Sequence, residues 1–333
     1  MRSAAHPLFL SAEDPLNALP ALLLLGMLLA TVGPRLLARA GWAEREPVLA
    51  LGAWQCLVAA VLLCCGIALL LTAAAAWPTV HVLLFSGAPH GVAAAYGFPL
   101  GRPWAIAATC LFAVGGLRTA LALGQEVRSA RALRRRRARA LSRQAPELPS
   151  GLVRRARRRL TGERLVVLEN AHPIAWSLPG PQSRLVVTTG ALHRLGHREL
   201  AAVLAHERGH VRARHHWLLQ CAEALNTGFP GARIFRLFRE QVGRLVELAA
   251  DDSAARRHGR MATALALVEL NTAAGPDPGC PSPFAEVPGR VDRLLTGAPR
   301  LPVLHRLQLT VMALTALGAP LVLALAPGLQ AIS

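Results

Sequence analysis

The sequence contains no lysine, so all 37 of its basic residues are arginine. Aromatic residues make up 5% of the chain, and charged residues make up 17%, against roughly 25% in a soluble domain. So few charges argue against an intrinsically disordered chain and disfavour an ordinary soluble enzyme. No Cys-x-x-Cys pair occurs among the cysteines, so the sequence gives no sign of a thiolate zinc site.

The chain is rich in long apolar runs. Hydrophobic residues make up 53% of its 333 residues, and about 20 consecutive apolar residues can cross a bilayer as a helix. We predict an α-helical membrane protein with four transmembrane helices. The spans lie at about 16–34, 48–76, 104–124 and 307–329.

These spans divide the chain into three parts. Residues 1–124 form a membrane domain with three transmembrane helices, residues 125–306 form an inserted domain, and residues 307–333 hold the fourth span and a short external tail. The inserted domain begins with an arginine-rich stretch, for which helices are expected, and continues with short strand-like runs and then helical patterns, which predicts an α+β fold. The strand-like runs are 165–168, 175–178 and 184–189, and the helical patterns are about 197–225, 231–257, 260–273 and 288–295.

The arginines predict how the chain is oriented. The loop at 35–47 carries Arg35, Arg39 and Arg45, whereas the loop at 77–103 carries only Arg102. Because arginine is enriched in cytoplasmic loops, the first loop and the arginine-rich inserted domain are expected in the cytoplasm. The protein is then a multi-pass cell-membrane protein with a cytoplasmic active site and external N- and C-termini.

An arginine-rich tract follows the third span. It runs from Arg128 to Arg159 and begins a few residues after a predicted membrane helix. We expect this tract to contact anionic lipid, since each basic residue near such a surface contributes about 1 kcal/mol. No aromatic side chains are interleaved with these arginines, so direct nucleic-acid binding is not expected.

The inserted domain contains the motif His206-Glu207-Arg208-Gly209-His210 within a helical pattern. Residues i and i+4 lie about 40° apart around a helix and about 6 Å apart along it. Two imidazoles at this spacing can bind one zinc ion, while the glutamate reaches a zinc-bound water as general base. We therefore predict one Zn²⁺ per chain, with His206 and His210 as ligands and Glu207 as the catalytic base.

Two patterns compete for the third zinc ligand. His216 has the spacing of the longer metzincin motif, but Ala213 stands where that motif needs a glycine to turn the chain. Glu247 instead precedes two alanines on the next helical pattern, and these small residues would allow close helix packing. Glu247 is the predicted ligand. Asp251, four residues later, would accept the free N–H of a ligand histidine.

Four segments together resemble the gluzincin branch of membrane metallopeptidases. They are the HERGH motif, the run ELAAD at 247–251, the run LVVTTGAL at 185–192 and the run RVDRLL at 290–295. Three spans, a cytoplasmic protease and a fourth span resemble the BlaR/MecR-type antirepressor peptidases in particular. The resemblance implies zinc on His206, His210 and Glu247, Glu207 as base and Asp251 behind the ligands.

The chain also departs from these relatives. It ends at Ser333, where a BlaR-type receptor carries a penicillin-binding sensor, so β-lactam sensing is not expected. The related proteases carry a histidine near the RVDRLL-like motif, whereas residues 284–290 contain none. Arg290 is a candidate substitute that would contact the transition state or the substrate.

The expected function is that of a membrane-integral zinc endopeptidase that cleaves a protein at the cytoplasmic membrane face. A transcriptional repressor in a signalling pathway is the substrate that the resemblance implies. Two alternatives stay open: a quality-control protease of the heat-shock or CAAX type, and a catalytically silent membrane receptor or scaffold. The sequence does not indicate the cleavage site, the activating signal or the oligomeric state.

Overall fold

The computed structural model describes residues 18–89, 92–96, 101–144, 164–178, 184–272, 287–297 and 299–332. The second half of the predicted lipid-contacting tract, from residue 145 to Arg159, lies outside these residues. Residues 1–17 and Ser333 also lie outside them, and they include the start of the first predicted span.

The described helices include the predicted spans. In chain order they are α1 (Ala18–Thr31), α2 (Gly33–Ala38), α3 (Pro47–Ala76), α4 (Pro78–Phe85), α5 (Arg102–Gln144), α6 (Thr189–Arg194), α7 (His197–Arg212), α8 (His215–Gly228), α9 (Arg233–His258), α10 (Arg260–Thr272), α11 (Val287–Thr296) and α12 (Val303–Gln330). Four stretches are long and apolar enough to cross a membrane: Ala18–Ala38, Pro47–Ala76, Arg102–Leu133 and Val303–Gln330. A helix suits such stretches because it satisfies every backbone polar group without water.

The predicted strands form a three-stranded sheet. They are β1 (Arg164–Leu168), β2 (Ala175–Leu178) and β3 (Arg184–Thr188), in the spatial order β1-β3-β2. β1 is parallel to β3, with Val166 opposite Val186, and β2 is antiparallel to β3, with Trp176 opposite Val186. β2 is therefore an outermost strand of the described sheet.

A hydrophobic core joins this sheet to the helices. Val167 of β1 and Val187 of β3 are buried together with Val203 and Leu204 of α7 and Ala266 of α10. The alternation of strand side chains directs these valines to one face of the sheet, where the helices cover them. The core thus fixes the first half of α7 and leaves its second half to form the site.

One predicted helix is interrupted. The sequence predicted a continuous helix over 197–225, but α7 ends at Arg212 and α8 begins at His215. Arg214 separates them with a φ angle of +53°, in the left-handed region that residues other than glycine rarely adopt. The prediction of an unbroken helix was wrong, because the chain turns here without a glycine.

Contacts divide the chain into two units. One comprises residues up to Arg35, Gln55–Leu117 and residues from Val311 onward. The other, which we call the HExxH unit because it contains that motif, comprises Leu36–Trp54 and Arg118–Thr310. In the HExxH unit, Trp54 is fully buried, and its ring centroid lies 6.3 Å from that of Phe238 on α9.

Candidate metal centre

Helix α7 carries the HExxH motif in its second half. Its start is fixed by the carboxylate of Glu199, which accepts a hydrogen bond of 2.5 Å from the Gly196 N–H. The residues before the motif, 202–205, are buried against the sheet and α10. His206 and His210 follow as partly buried residues on the next turns.

A close approach of α7 to α9 brings the second half of the site into place. A Cβ atom added at Gly209 would lie 3.4 Å from the Cα of Ala250 and 3.5 Å from the Cβ of Ser253. Ala250 is itself fully buried. A Cβ atom at position 209 would thus already be in van der Waals contact with α9. The two helix backbones therefore pack closely, which is the arrangement that the small residues beside Glu247 predicted.

The ligand atoms of His206, His210 and Glu247 lie within 4.8 Å of one another. The Nε2 atoms of the two histidines are 3.1 Å apart. One carboxylate oxygen of Glu247 lies 3.5 Å from His206 Nε2, and the other lies 3.4 Å from His210 Nε2. Two imidazole nitrogens and a carboxylate are a donor set that suits a catalytic zinc ion, so these residues fit the predicted metal.

Asp251 and Arg290 support this cluster from behind. Asp251 Oδ1 lies 3.0 Å from His206 Nδ1, so the carboxylate holds the ring nitrogen that faces away from the cluster. The Arg290 guanidinium donates two hydrogen bonds of 2.7 Å to the same carboxylate. A third nitrogen of Arg290 lies 3.2 Å from Glu247. Asp251 is thus fully buried and paired, and its role behind the ligands stays a prediction.

The electrostatics of the cluster favour a cation. Burial disfavours the charged form of His206, but hydrogen bonds to Asp251 and Glu247 outweigh it and raise the pKa of His206 to about 10. Burial would raise the pKa of Glu247, but His206, His210 and Arg290 lower it to about 2. Burial lowers the pKa of His210 to about 4. A ligating imidazole is neutral, so a bound zinc ion would take the place of the proton that the two carboxylates hold on His206.

Glu207 lies at the same cavity, next to the edge of the sheet. The cavity has a volume of about 110 Å³ and is lined by His206, Glu207, Glu247 and Arg290, among others. Burial raises the pKa of the Glu207 carboxyl, while the charge of His206 and hydrogen bonds from Ser177 of β2 oppose that rise. A carboxylate with a raised pKa is suited to accept a proton and return it.

His215 is a residue that the sequence argument missed. Its Nδ1 lies 3.1 Å from Nδ1 of His210, and the two rings meet edge to face with centroids 4.9 Å apart. His215 is buried. On an unbroken helix the two residues would not share a face, so only the turn at Arg214 makes this contact possible. His215 therefore supports His210 much as Asp251 supports His206.

His216, the competing candidate ligand, does not join the ligand group. Its ring packs against Trp217, with centroids 5.8 Å apart. Among the described residues, the group able to hold a metal consists of His206, His210 and Glu247. The geometry thus favours Glu247 as the third ligand.

A comparison with protein families supports the chemistry suggested by this geometry. Residues 139–296 match the model of Peptidase family M48. The matched region contains the sheet, α7, α9 and Arg290, so it covers the complete cluster. No curated protein and no solved structure matches the chain significantly. The match supports an M48-type metallopeptidase domain, and M48 proteins are zinc enzymes; the narrower BlaR/MecR-type resemblance stays a prediction.

Proposed function

We propose that this protein is a membrane-integral, zinc-dependent endopeptidase. The observation that carries the proposal is the convergence of His206, His210 and Glu247, with Glu207 at the same cavity. The match to Peptidase family M48 supports the same reaction. An intact ligand set with a neighbouring carboxylate also makes a catalytically silent receptor the weaker alternative.

Each residue of the site has its own proposed role in peptide hydrolysis. When bound, zinc would act as an electrophile that acidifies water and polarises the peptide carbonyl. Glu207 takes the proton of the attacking water and gives it to the leaving amine. Asp251 fixes the orientation of His206, and His215 that of His210. Arg290 holds Asp251 and Glu247 and adds positive charge at the cavity.

Strand β2 offers a way to orient the substrate. Ser177 lies on this outermost strand and donates both a side-chain and a backbone hydrogen bond to Glu207. The outer edge of β2 therefore faces the site. An extended peptide that pairs with this edge would pass the catalytic carboxylate, as in recognition by strand addition. We propose that the substrate is cleaved in an unfolded or extended segment.

The location and the natural substrate belong to the same proposal. Four apolar helices support a membrane protein, and the arginine distribution favours a cytoplasmic active site. We propose a protein substrate at the membrane surface, with a transcriptional repressor as the candidate suggested by the BlaR/MecR-type resemblance. Anionic lipid on the Arg128–Arg159 tract would hold the enzyme domain close to that surface.

The test is substrate capture with Glu207→Gln in the full-length protein. This variant keeps all three proposed ligands, so it should bind about one zinc ion and should retain uncut substrate, which mass spectrometry then identifies. Glu240→Gln is a matched control, because Glu240 is exposed on α9 and should leave cleavage intact. Cleavage of the captured protein by Glu207→Gln at the wild-type rate would reject the proposed base.

A further inference from the structure

A second cavity in the HExxH unit is rich in arginine. It has a volume of about 120 Å³ and shares no lining residue with the cavity at the metal centre. Its lining includes Arg45, Arg256, Arg260, Arg293 and Arg300. These side chains come from segments far apart in sequence, so the fold brings five like charges to one concave surface.

The acidic residues at this cavity already have partners. Asp252 pairs with Arg293 at 2.8 Å, and Glu44 pairs with Arg244. Arg293 also donates a hydrogen bond to the backbone carbonyl of Glu44. These pairs leave a cluster of four arginines, which we call the arginine pocket: Arg45, Arg256, Arg260 and Arg300. No carboxylate among the described residues pairs with any of the four.

Gly297 keeps room for one of these guanidinium groups. It has a φ angle of +62°, and a Cβ atom added there would collide with Nη1 of Arg260. A glycine at position 297 therefore permits the turn at the end of α11 and also leaves space for the Arg260 side chain. The four arginines are exposed, and together at one concave surface they create a positive potential that attracts anions.

We propose that the arginine pocket binds a phosphate group. A guanidinium donates paired hydrogen bonds that match phosphate oxygens, and several such groups in a concavity concentrate the positive potential. Two of the four arginines also stand next to membrane spans. Arg45 precedes the start of α3 by two residues, and Arg300 precedes the start of α12 by three. The headgroup phosphate of an anionic phospholipid is therefore the nearest source, and free inorganic phosphate is the other.

The experiment uses the full-length protein purified in a neutral detergent. Thermal unfolding is followed with inorganic phosphate, with phosphatidylglycerol, and with phosphatidylcholine as a neutral lipid. Chloride at the same ionic strength controls for screening. Native mass spectrometry counts the lipids that stay bound. The test variant is Arg256→Gln with Arg260→Gln, and the matched control is Arg257→Gln, which removes an exposed charge from the same turn of α9 outside the pocket.

We expect the wild type and Arg257→Gln to bind inorganic phosphate or phosphatidylglycerol. The affinity should be about tenfold or more weaker in the double variant, because hydrogen bonds to charged groups are lost. A response to phosphatidylglycerol alone identifies a lipid headgroup, and a response to inorganic phosphate identifies a soluble ligand. Should the double variant fail to fold, Arg300→Gln replaces it, since residue 300 lies outside the helices. Absence of binding to the wild type, or equal binding by the pocket variants and Arg257→Gln, would overturn the proposal.

Discussion

Oδ1 of Asp251 lies 3.0 Å from Nδ1 of His206, and Nε2 of the same histidine ring faces Glu247 and His210. The same carboxylate takes two hydrogen bonds from Arg290, and both partners are buried. One buried carboxylate thus connects the HExxH helix to α11. The orientation of His206 therefore also depends on Arg290, which lies 39 positions after Asp251 in the sequence.

The first prediction concerns this buried pair. Asp251→Asn should weaken zinc affinity by about 10–100-fold, as the loss of a partner behind a metal ligand usually does. It should also lower stability, by no more than about 3–5 kcal/mol, because Arg290 keeps its charge in a buried position and Glu247 remains as its anionic partner. Zinc titration and thermal unfolding measure the two effects. Asp252→Asn is the control, since its carboxylate pairs with Arg293 rather than with a proposed ligand; an equal loss of zinc in that variant would contradict the assignment.

The second prediction separates the two candidate third ligands. Glu247→Ala should lose most of the bound zinc and the proteolytic activity, because a carboxylate within 3.5 Å of both histidines is removed. His216→Ala should retain both. Metal content after dialysis against a weak chelator gives the measurement. Zinc loss in His216→Ala with retention in Glu247→Ala would place this protein with the metzincins.

The third prediction concerns His215. His215→Phe keeps an aromatic ring beside His210 but removes the nitrogen that lies 3.1 Å from His210 Nδ1. Zinc affinity should fall by about tenfold or more, since the orientation of His210 is no longer fixed. His215→Asn can restore a hydrogen bond and should recover part of that affinity. Should both variants bind zinc as tightly as the wild type, His215 does no more than fill space.

The fourth prediction concerns the helix packing. Gly209→Leu places a side chain where even a Cβ atom would lie 3.4 Å from the Ala250 backbone, so α7 and α9 must separate. Glu247 then moves away from the histidines, and both zinc content and thermal stability should fall. Gly243→Leu on α9 is the matched control, because nothing lies within 4 Å of a Cβ added there. Similar losses in the two variants would show that the close approach is not what positions Glu247.

The fifth prediction concerns orientation in the membrane. A reporter fused after Gln144 should indicate the cytoplasm, and one fused after Ser333 should indicate the exterior. Arginine-poor variants of the loop at 35–47 should weaken this preference. The reverse pattern of the two reporters would overturn both the arginine argument and the cytoplasmic placement of the site.

Local patterns were enough to predict much of this structure. Strands β1 and β3 follow from runs that contain β-branched residues, and the His206–His210 pair follows from helical spacing. The turn at Arg214 was not predictable, because an arginine in the left-handed region leaves no compositional signal. The contact of His215 with His210 depends on that turn and was missed with it. The role of Arg290 as the partner of Asp251 also depends on tertiary packing, which spacing alone does not encode.

The segment Leu36–Trp54 has a consequence for how the protein can be dissected. It belongs to the HExxH unit although Gln55–Leu117 separates it from the rest of that unit. A fragment that begins after the third span would lack Trp54, so Phe238 on α9 would lose the ring that packs against it. The same fragment would remove Glu44, the partner of Arg244 and Arg293. A fragment that includes this segment, grafted on or supplied as a separate peptide, should therefore be more stable than one that lacks it.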